Sequence, residues 1–382
     1  MSSLLYVLPK SDYFQEGCRG RVTHALGVIR GFARNDWEVI VISGTGLKDF
    51  VADLPDSLQG KVEAIEVKSP ENYDIISEIK WLWSLRKNIS EILNSRSDIE
   101  AFLVRYAVSR GEILALLARK IRSFGINTVL EVNSLAFHQL DLKGPFANLI
   151  LEVESFILSS FDIIYVVTEQ HKEDIEGKND SHDVLFLPNA SFPRETDFDV
   201  KSSSLDTSPR FVYMGVMHNY YDFETVTRSF GSLKEKYDSE LHFFGDGEKL
   251  KQTKKLAEAT QGVKFHGRYQ FKEINEIVEA TDILLHPHNI GLSTKLFEYF
   301  SLGLPIIAAR EGKIDEFIED GETGFLYEPG NENDLSSVME YVLEHPEERK
   351  LVGERALKVF KEKHTWKSRM AELIENLEKI NS

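Results

Sequence analysis

Residues 283–309 constrain the chain more than any other stretch. They read as an apolar strand (Ile283 to Leu285), a loop, a helix from about Thr294 to Leu302, a Gly turn and a second apolar strand, Pro305 to Ala309. Strands that are apolar throughout and linked by a helix belong to a parallel sheet covered on both faces. Ser293 or Thr294 can cap the helix. The free N–H groups and positive dipole end at that start suit an anion, and Lys295 adds a mobile charge. Glu298 follows about one turn later on nearly the same face. These residues alone leave two readings open. One is a helix start for a diphosphate with a carboxylate beside it for sugar hydroxyls, which is the chemistry of nucleotide-sugar binding. The other is an ordinary strand–helix–strand unit with a surface Lys–Glu pair.

Length and charge narrow the function classes. A chain of 382 residues suggests two domains of roughly 100–200 residues each. A hydrophobic content of 42% is ample for packed cores. The formal net charge of −17 argues against nucleic acid as the main ligand, because binding phosphate backbones needs a basic face. The single cysteine, Cys18, permits no internal disulfide and fits a reducing compartment. The N-terminus has no basic region and too short an apolar run for a signal peptide. No stretch approaches the ~18 uninterrupted apolar residues of a membrane span. A cytoplasmic location is expected, with peripheral contact at the inner membrane face left open.

Taken in order, the first half alternates strand and helix. Leu4–Leu8, a loop holding Gly17 and Gly20, a helix from about Arg21 to Arg34 and the strand Val39–Ile42 form a βαβ unit. Gly17-Cys-Arg-Gly20 lacks the three-glycine dinucleotide fingerprint, which argues against NAD or FAD. Residues 74–94 read as a helix on which Trp81 and Trp83 cannot both face inward; one lies at the rim or forms an apolar lip for a lipid-linked acceptor. The strand Phe102–Val104 ends in Arg105, and Thr128–Val132 ends in Glu131-Val-Asn133. Side chains at the carboxyl ends of such strands face a ligand crevice, so Arg105, Glu131 and Asn133 are candidates. A surface salt bridge and a turn asparagine are the plainer alternatives.

Residues 191–209 carry no apolar period and are rich in Ser, Asp and Pro, which marks a linker. Its Asp197-Phe-Asp199 superficially matches a metal-binding Asp-x-Asp, and a linker is the wrong place for one. The second half repeats the alternation. Phe211–Met214 closes on Gly215, and Leu241–Phe244 closes on Gly245-Asp246-Gly247. Glycines at strand ends let backbone come close to a ligand. Gly321-Glu-Thr-Gly324 turns into a last short strand, and amphipathic helices close the chain. The expected class is α/β, two doubly wound Rossmann-like halves with a cleft between them. The expected bounds are 1–192, a linker at 193–208, and 209–362.

The order of these pieces resembles the retaining glycosyltransferases of family 4, which have the GT-B fold. The stretches that carry the resemblance include Leu130-Glu-Val-Asn133, Leu187-Pro-Asn189-Ala190, Gly245-Asp-Gly247, Lys295-Leu-Phe-Glu298-Tyr-Phe-Ser-Leu-Gly303-Leu-Pro305, Glu316 through Leu326, and Thr365-Trp366. It spans nearly the whole chain and is strongest from Phe211 to Trp366. The resemblance implies that the C-terminal half holds an NDP-sugar donor, UDP or GDP. Glu298 matches the second Glu of the family's Glu-x7-Glu motif and would hold the ribose. Ser293, Thr294 and Leu296 would offer N–H groups to the diphosphate, with Lys295 as counter-charge. Gly215, Gly245, Asp246, Arg268 and Tyr269 would flank the donor. The N-terminal half would hold the acceptor through Gly20, Arg105, Glu131 and Asn133, and the helix at 363–382 would cross back onto it. Asn133, Lys295 and Glu298 form the implied catalytic set.

Three positions depart from the family pattern. Ile290 replaces the first Glu of the motif, with Asn289 or a backbone group as its substitute. The usual Arg and Lys after the first C-terminal strand are missing, which shifts phosphate charge to His218 or Lys295. Asn133 stands where a His is common.

Breaking a glycosyl–phosphate bond leaves charge on the diphosphate, and fixed donors at a helix start stabilise it without a metal. The expected reaction is therefore metal-independent transfer with retention and no cofactor, to a glycan, lipid-linked or small-molecule acceptor. Surface-glycan assembly is the commonest setting implied. His286-Pro-His288 lacks a third metal ligand and fits a pocket wall better. Two other readings compete: a nucleotide-sugar epimerase or hydrolase on the same architecture, and a catalytically silent NDP-sugar-binding subunit.

Overall fold

The computed structural model describes residues 2–14, 19–72, 74–106, 111–135, 145–177, 183–193, 208–270, 273–288 and 294–381. Contacts divide the chain into two units, Met1–Asn189 with Trp366–Ser382, and Ala190–Thr365.

Unit 1 is built on seven strands: β1 (Ser3–Val7), β2 (Glu38–Ser43), β3 (Val62–Glu66), β4 (Ile99–Arg105), β5 (Asn127–Val132), β6 (Ile163–Val166) and β7 (Asp183–Phe186). They lie in the order β3-β2-β1-β4-β5-β6-β7, every pair parallel. Its helices are α1 (Arg19–Arg34), α2 (Leu47–Ala52), α3 (Asp56–Gln59), α4 (Ile75–Ser95), α5 (Gly111–Arg122), α6 (Pro145–Leu158) and α7 (Glu169–Glu176). Both faces of the central strands are covered, and β1 is buried at every position. That burial is why the central strands read as unbroken apolar runs.

The sequence reading passed over residues 47–66, where α2, α3 and β3 lie. The edge strand β3, Val-Glu-Ala-Ile-Glu, buries only Val62, and two of its five residues are charged. An edge strand with carboxylates resists pairing with other chains, and it carries a weak hydrophobic signal for the same reason.

Unit 2 repeats the design with six parallel strands: β8 (Arg210–Met214), β9 (Glu240–Phe244), β10 (Val263–Gly267), β11 (Ile283–His286), β12 (Ile306–Ala309) and β13 (Phe325–Tyr327). Their order is β10-β9-β8-β11-β12-β13. The helices are α8 (Phe223–Lys234), α9 (Leu250–Ala257), α10 (Ile274–Glu279), α11 (Thr294–Phe300), α12 (Glu332–Glu344) and α13 (Pro346–Lys363). Asp222 and Asn331 cap α8 and α12 by accepting from Thr225 N at 3.0 Å and Asp334 N at 3.1 Å. Helix α11 stops at Phe300, two residues short of the expected Leu302. There the chain tightens, with Leu302 N donating to Tyr299 O at 3.0 Å, and turns at Gly303, whose φ is +69°. In each sheet the strand order reverses beside the first strand of the unit, between β1 and β4 and between β8 and β11. Ligands of open α/β sheets bind outside the strand ends at such switch points.

The last helix, α14 (Trp366–Asn381), belongs to unit 1 and packs on α1. Two glycines one turn apart on α1 make the approach. A Cβ on Gly27 would lie 2.0 Å from Trp366 Cε2, and one on Gly31 would lie 2.4 Å from Met370 Cγ. Asn35 Nδ2 adds a hydrogen bond to Lys367 O at 2.9 Å.

Candidate functional site

At the switch point of unit 2, the loop after β8 meets the start of α11. Gly215 has φ +145°, and a Cβ there would lie 2.3 Å from Lys295 Cε and Nζ. The missing side chain is the space through which the Lys295 side chain runs. The lysine is only 14% exposed, and its nearest carboxylate, Glu298 Oε2, stands 3.7 Å from Nζ. Burial lowers its pKa, with the Glu298 charge opposing. The Tyr299 ring lies 5.7 Å from Nζ, and its hydroxyl accepts from Met214 N at 2.8 Å, which ties α11 to the end of β8. His286, at the end of β11, is buried and pushed down to about 3, by burial first and then by His288 and Lys295. A neutral imidazole therefore backs the ammonium and adds no charge.

Two loops close the floor of this corner. A Cβ on Gly245, φ +147°, would lie 1.8 Å from Gly215 O, so only glycine lets these backbones stack. Gly215 N donates to Phe244 O at 2.8 Å and Met217 N to Asp246 O at 2.9 Å. Asp246 accepts from Gly247 N at 2.8 Å and pairs with Arg268 Nε at 3.0 Å; both contacts hold its carboxyl below the ordinary range. Tyr269 is pushed up to about 12 by burial and by the Glu298 charge. His218 stacks on Tyr220 with ring centroids 5.0 Å apart, and Tyr220 meets His288 edge-on at 5.1 Å. Thr294 and Glu298 face solvent, while Leu296 is buried. Asn289, Ile290 and Ser293 lie outside the described residues.

Unit 1 holds a different cluster at its own strand ends. Arg105 on β4, Glu131 on β5 and Tyr165 on β6 are register partners in turn, so their side chains share one face of the sheet. The Glu131 carboxylate is fully buried. It accepts from Tyr6 Oη at 2.6 Å and from Asn133 Nδ2 at 2.6 Å. Arg105 Nη1 stands 2.8 Å and His24 Nε2 3.0 Å from its Oε1. Burial alone would raise the carboxyl, yet Arg105, His24 and the hydrogen bonds hold it well below the usual carboxylate range. Tyr6 and Tyr165 are pushed well above the ordinary phenol value, by burial and then by the Glu131 charge, so both keep their protons. Arg105 and Glu131 thus form no surface salt bridge, and Asn133 is tied to the carboxylate. Gly20 is the second residue of α1.

Sequence reasoning found three members of this cluster and missed three. His24 sits on a helix face that reads as core, and its Nδ1 lies 2.8 Å from Asn189 Oδ1, 165 residues away. Its ring also meets Trp366 edge-on at 4.8 Å. Tyr6 and Tyr165 lie inside apolar strands, where nothing local separates a phenol that donates from one that only packs. Among the described residues, no group of three or more His, Cys, Asp or Glu could hold a metal ion. No described helix is long and apolar enough to cross a membrane.

The same two-unit pattern occurs in solved structures. The Anabaena protein HepE, solved in complex with UDP, superposes with a TM-score of 0.66 at 13% identity over 99% of this chain and 100% of its own. Among curated proteins, an uncharacterized glycosyltransferase of Methanocaldococcus jannaschii is 26% identical over 177 residues, 45% of each chain. The sulfoquinovosyl transferase SQD2 of Arabidopsis thaliana is 30% identical over 151 residues, 37% of this chain and 29% of that one. The chain spans less than half the length of either relative. The fold defines the class: two parallel α/β sheets arranged as in GT-B glycosyltransferases. Residues 195–359 match the family described as Glycosyl transferases group 1.

Proposed function

We propose that the protein transfers a sugar from a nucleoside diphosphate sugar to a hydroxyl acceptor, with retention at the anomeric carbon and without a metal. The observation that carries this reading is Lys295, a largely buried ammonium beside the end of β8, whose paired carboxylate, Glu298 on α11, stands 3.7 Å away and half exposed. A buried cation paired on one side with a half-exposed carboxylate keeps attraction for a second anion, and a diphosphate laid against it would supply that charge. Solved neighbours with UDP and with UDP-glucose support a nucleotide-sugar ligand.

In this reading unit 2 binds the donor. Backbone N–H groups at Thr294 and Leu296, with Ser293, take the diphosphate at the start of α11 beside Lys295. Glu298, exposed and one turn on, accepts from the ribose. Gly215 and Gly245 let backbone approach the ligand, while His218, Asn289, Asp246, Arg268 and Tyr269 flank it. As the glycosyl–phosphate bond breaks, negative charge grows on the leaving diphosphate, and Lys295 stabilises that charge more than the ground state. Asn133 and Arg105 contact the acceptor side, and Glu131 orients both. Gly20 approaches the transferred sugar.

Thermal unfolding with a panel of UDP- and GDP-sugars, with and without EDTA, tests the reading. A ligand at 100 times its Kd stabilises the native state by about 2.7 kcal/mol. No shift with any nucleotide sugar sinks the proposal, and a shift abolished by EDTA removes metal independence. Rapid turnover of the donor without acceptor would make the protein an epimerase or hydrolase instead.

A further inference from the structure

We propose that the outward face of α4 docks on an anionic membrane surface. The helix has 21 residues and is capped by Asp74, whose side chain accepts from Ser77 N. Its inner face, from Trp81 and Leu82 through Leu85, Ile89 and Ile92, is buried in the core of unit 1. The outer face is apolar as well. Ile75 is 79% exposed, Ile76 66%, Ile79 46% and Trp83 54%. A helix that already buries one apolar stripe has no structural need for a second, and clustered exposed apolar side chains mark a contact surface.

The charges around this face decide what it contacts. At about 100° per residue, Lys80, Arg86 and Lys87 fall in the same arc as the three isoleucines and Trp83. The Arg86 guanidinium lies 5.0 Å from the Trp83 ring centroid. No carboxylate shares the arc. Glu78 turns inward, where it accepts from Ser11 Oγ. Glu91 stands at the margin, 3.7 Å from Lys87 Nζ. In a chain of formal net charge −17, this is a local basic and apolar surface. On the neighbouring helix layer Leu116 is 61% and Phe124 70% exposed, beside exposed Arg119 and Lys120.

A protein partner fits this pattern poorly, because interface cores are depleted in lysine. A second copy would set like charges against each other. An anionic bilayer satisfies both halves of the surface: Ile and Trp side chains enter the headgroup boundary while Lys and Arg stems reach to lipid phosphates.

Flotation of the full chain with vesicles tests the proposal. Binding is expected to vesicles of equal phosphatidylcholine and phosphatidylglycerol, and not to phosphatidylcholine alone. It should weaken as added salt shortens the Debye length from about 10 Å at 0.1 M. Lys80→Gln and Lys87→Gln should each reduce partitioning roughly fivefold. The triple variant Ile76→Ser, Ile79→Ser, Trp83→Ser should abolish it. These side chains are exposed, so unchanged thermal unfolding will confirm that the variants fold; the lysine variants serve if the triple variant does not. Failure of the parent to float, equal flotation on neutral vesicles, or flotation of folded variants like the parent would each overturn the proposal. So would a parent dimer that the variants dissolve without any vesicle binding.

Discussion

Each unit buries a charge at the end of its central strands, Glu131 in one and Lys295 in the other, and the two are compensated in opposite ways. Glu131 in unit 1 meets Arg105, His24, Tyr6 and Asn133 within 3.0 Å. Lys295 in unit 2 has one carboxylate at 3.7 Å. A buried charge matched on every side belongs to the frame, because its partners exist already in the folded chain. A buried charge matched from one side leaves attraction for something that arrives. The two corners therefore predict opposite behaviour on mutation, stability in unit 1 and ligand affinity in unit 2.

The largest effect is expected at Glu131. Glu131→Gln leaves Arg105 buried without its counter-charge and should cost about 3–5 kcal/mol, read as a lowered denaturation midpoint. A midpoint within error of the parent would erase the contrast between the corners. Lys295→Met comes next and separates the two readings of that lysine. It should weaken UDP binding by about 2–3 kcal/mol, while stability stays level or rises because an undercompensated charge is gone. Loss of stability with unchanged UDP affinity would move Lys295 into the frame beside Glu131. Glu298→Gln should weaken donor binding by roughly 1–3 kcal/mol through a lost charged hydrogen bond, measured by calorimetry. Unchanged affinity would remove Glu298 from the site.

Gly245→Ala sharpens the comparison from the backbone side. Its Cβ would meet Gly215 O at 1.8 Å, so the stacked loops must part, at a cost on the order of 1–3 kcal/mol in stability. The smallest effect is a pH slope. Glu131 is held below its ordinary value, so the unfolded chain takes up its proton first as pH falls. Its stabilising contribution is present above the ordinary carboxyl pKa and is lost below it. His286, at about 3 in the folded chain, acts in the same direction but from a higher pH, because unfolded histidine protonates near 6.5. Denaturant titrations should show stability falling from about pH 6.5 downward and steepening below about pH 4.5. Glu131→Gln should flatten only the lower part.

Much of the fold was legible because burial on both faces writes itself into strands. Leu4–Leu8, Val39–Ile42 and Ile283–Leu285 are apolar throughout, and glycines at 215 and 245 punctuate their unit. The edge strand β3 was not legible, since an edge half-exposed to water alternates weakly and carries charge. The Lys295–Glu298 pair was legible as helix spacing, and the structure adds how deeply the lysine lies and that it runs over Gly215. Trp81 and Trp83 were legible as one inside and one outside, and Trp81 is the buried one.

Local patterns by themselves determined the repeating strand–helix order, the two halves and the candidate residues at the strand ends. Periodicity and turn chemistry act over a few residues, and these features need nothing longer. Only tertiary structure decided that His24, Tyr6 and Tyr165 surround Glu131, and that Trp366 seats against Gly27. Apart from Tyr165, which reaches Glu131 from the adjacent strand, those contacts join residues more than a hundred positions apart. Charge compensation depends on distance in space, so which buried charge is complete and which is open could be read only once the sheets had brought the residues together.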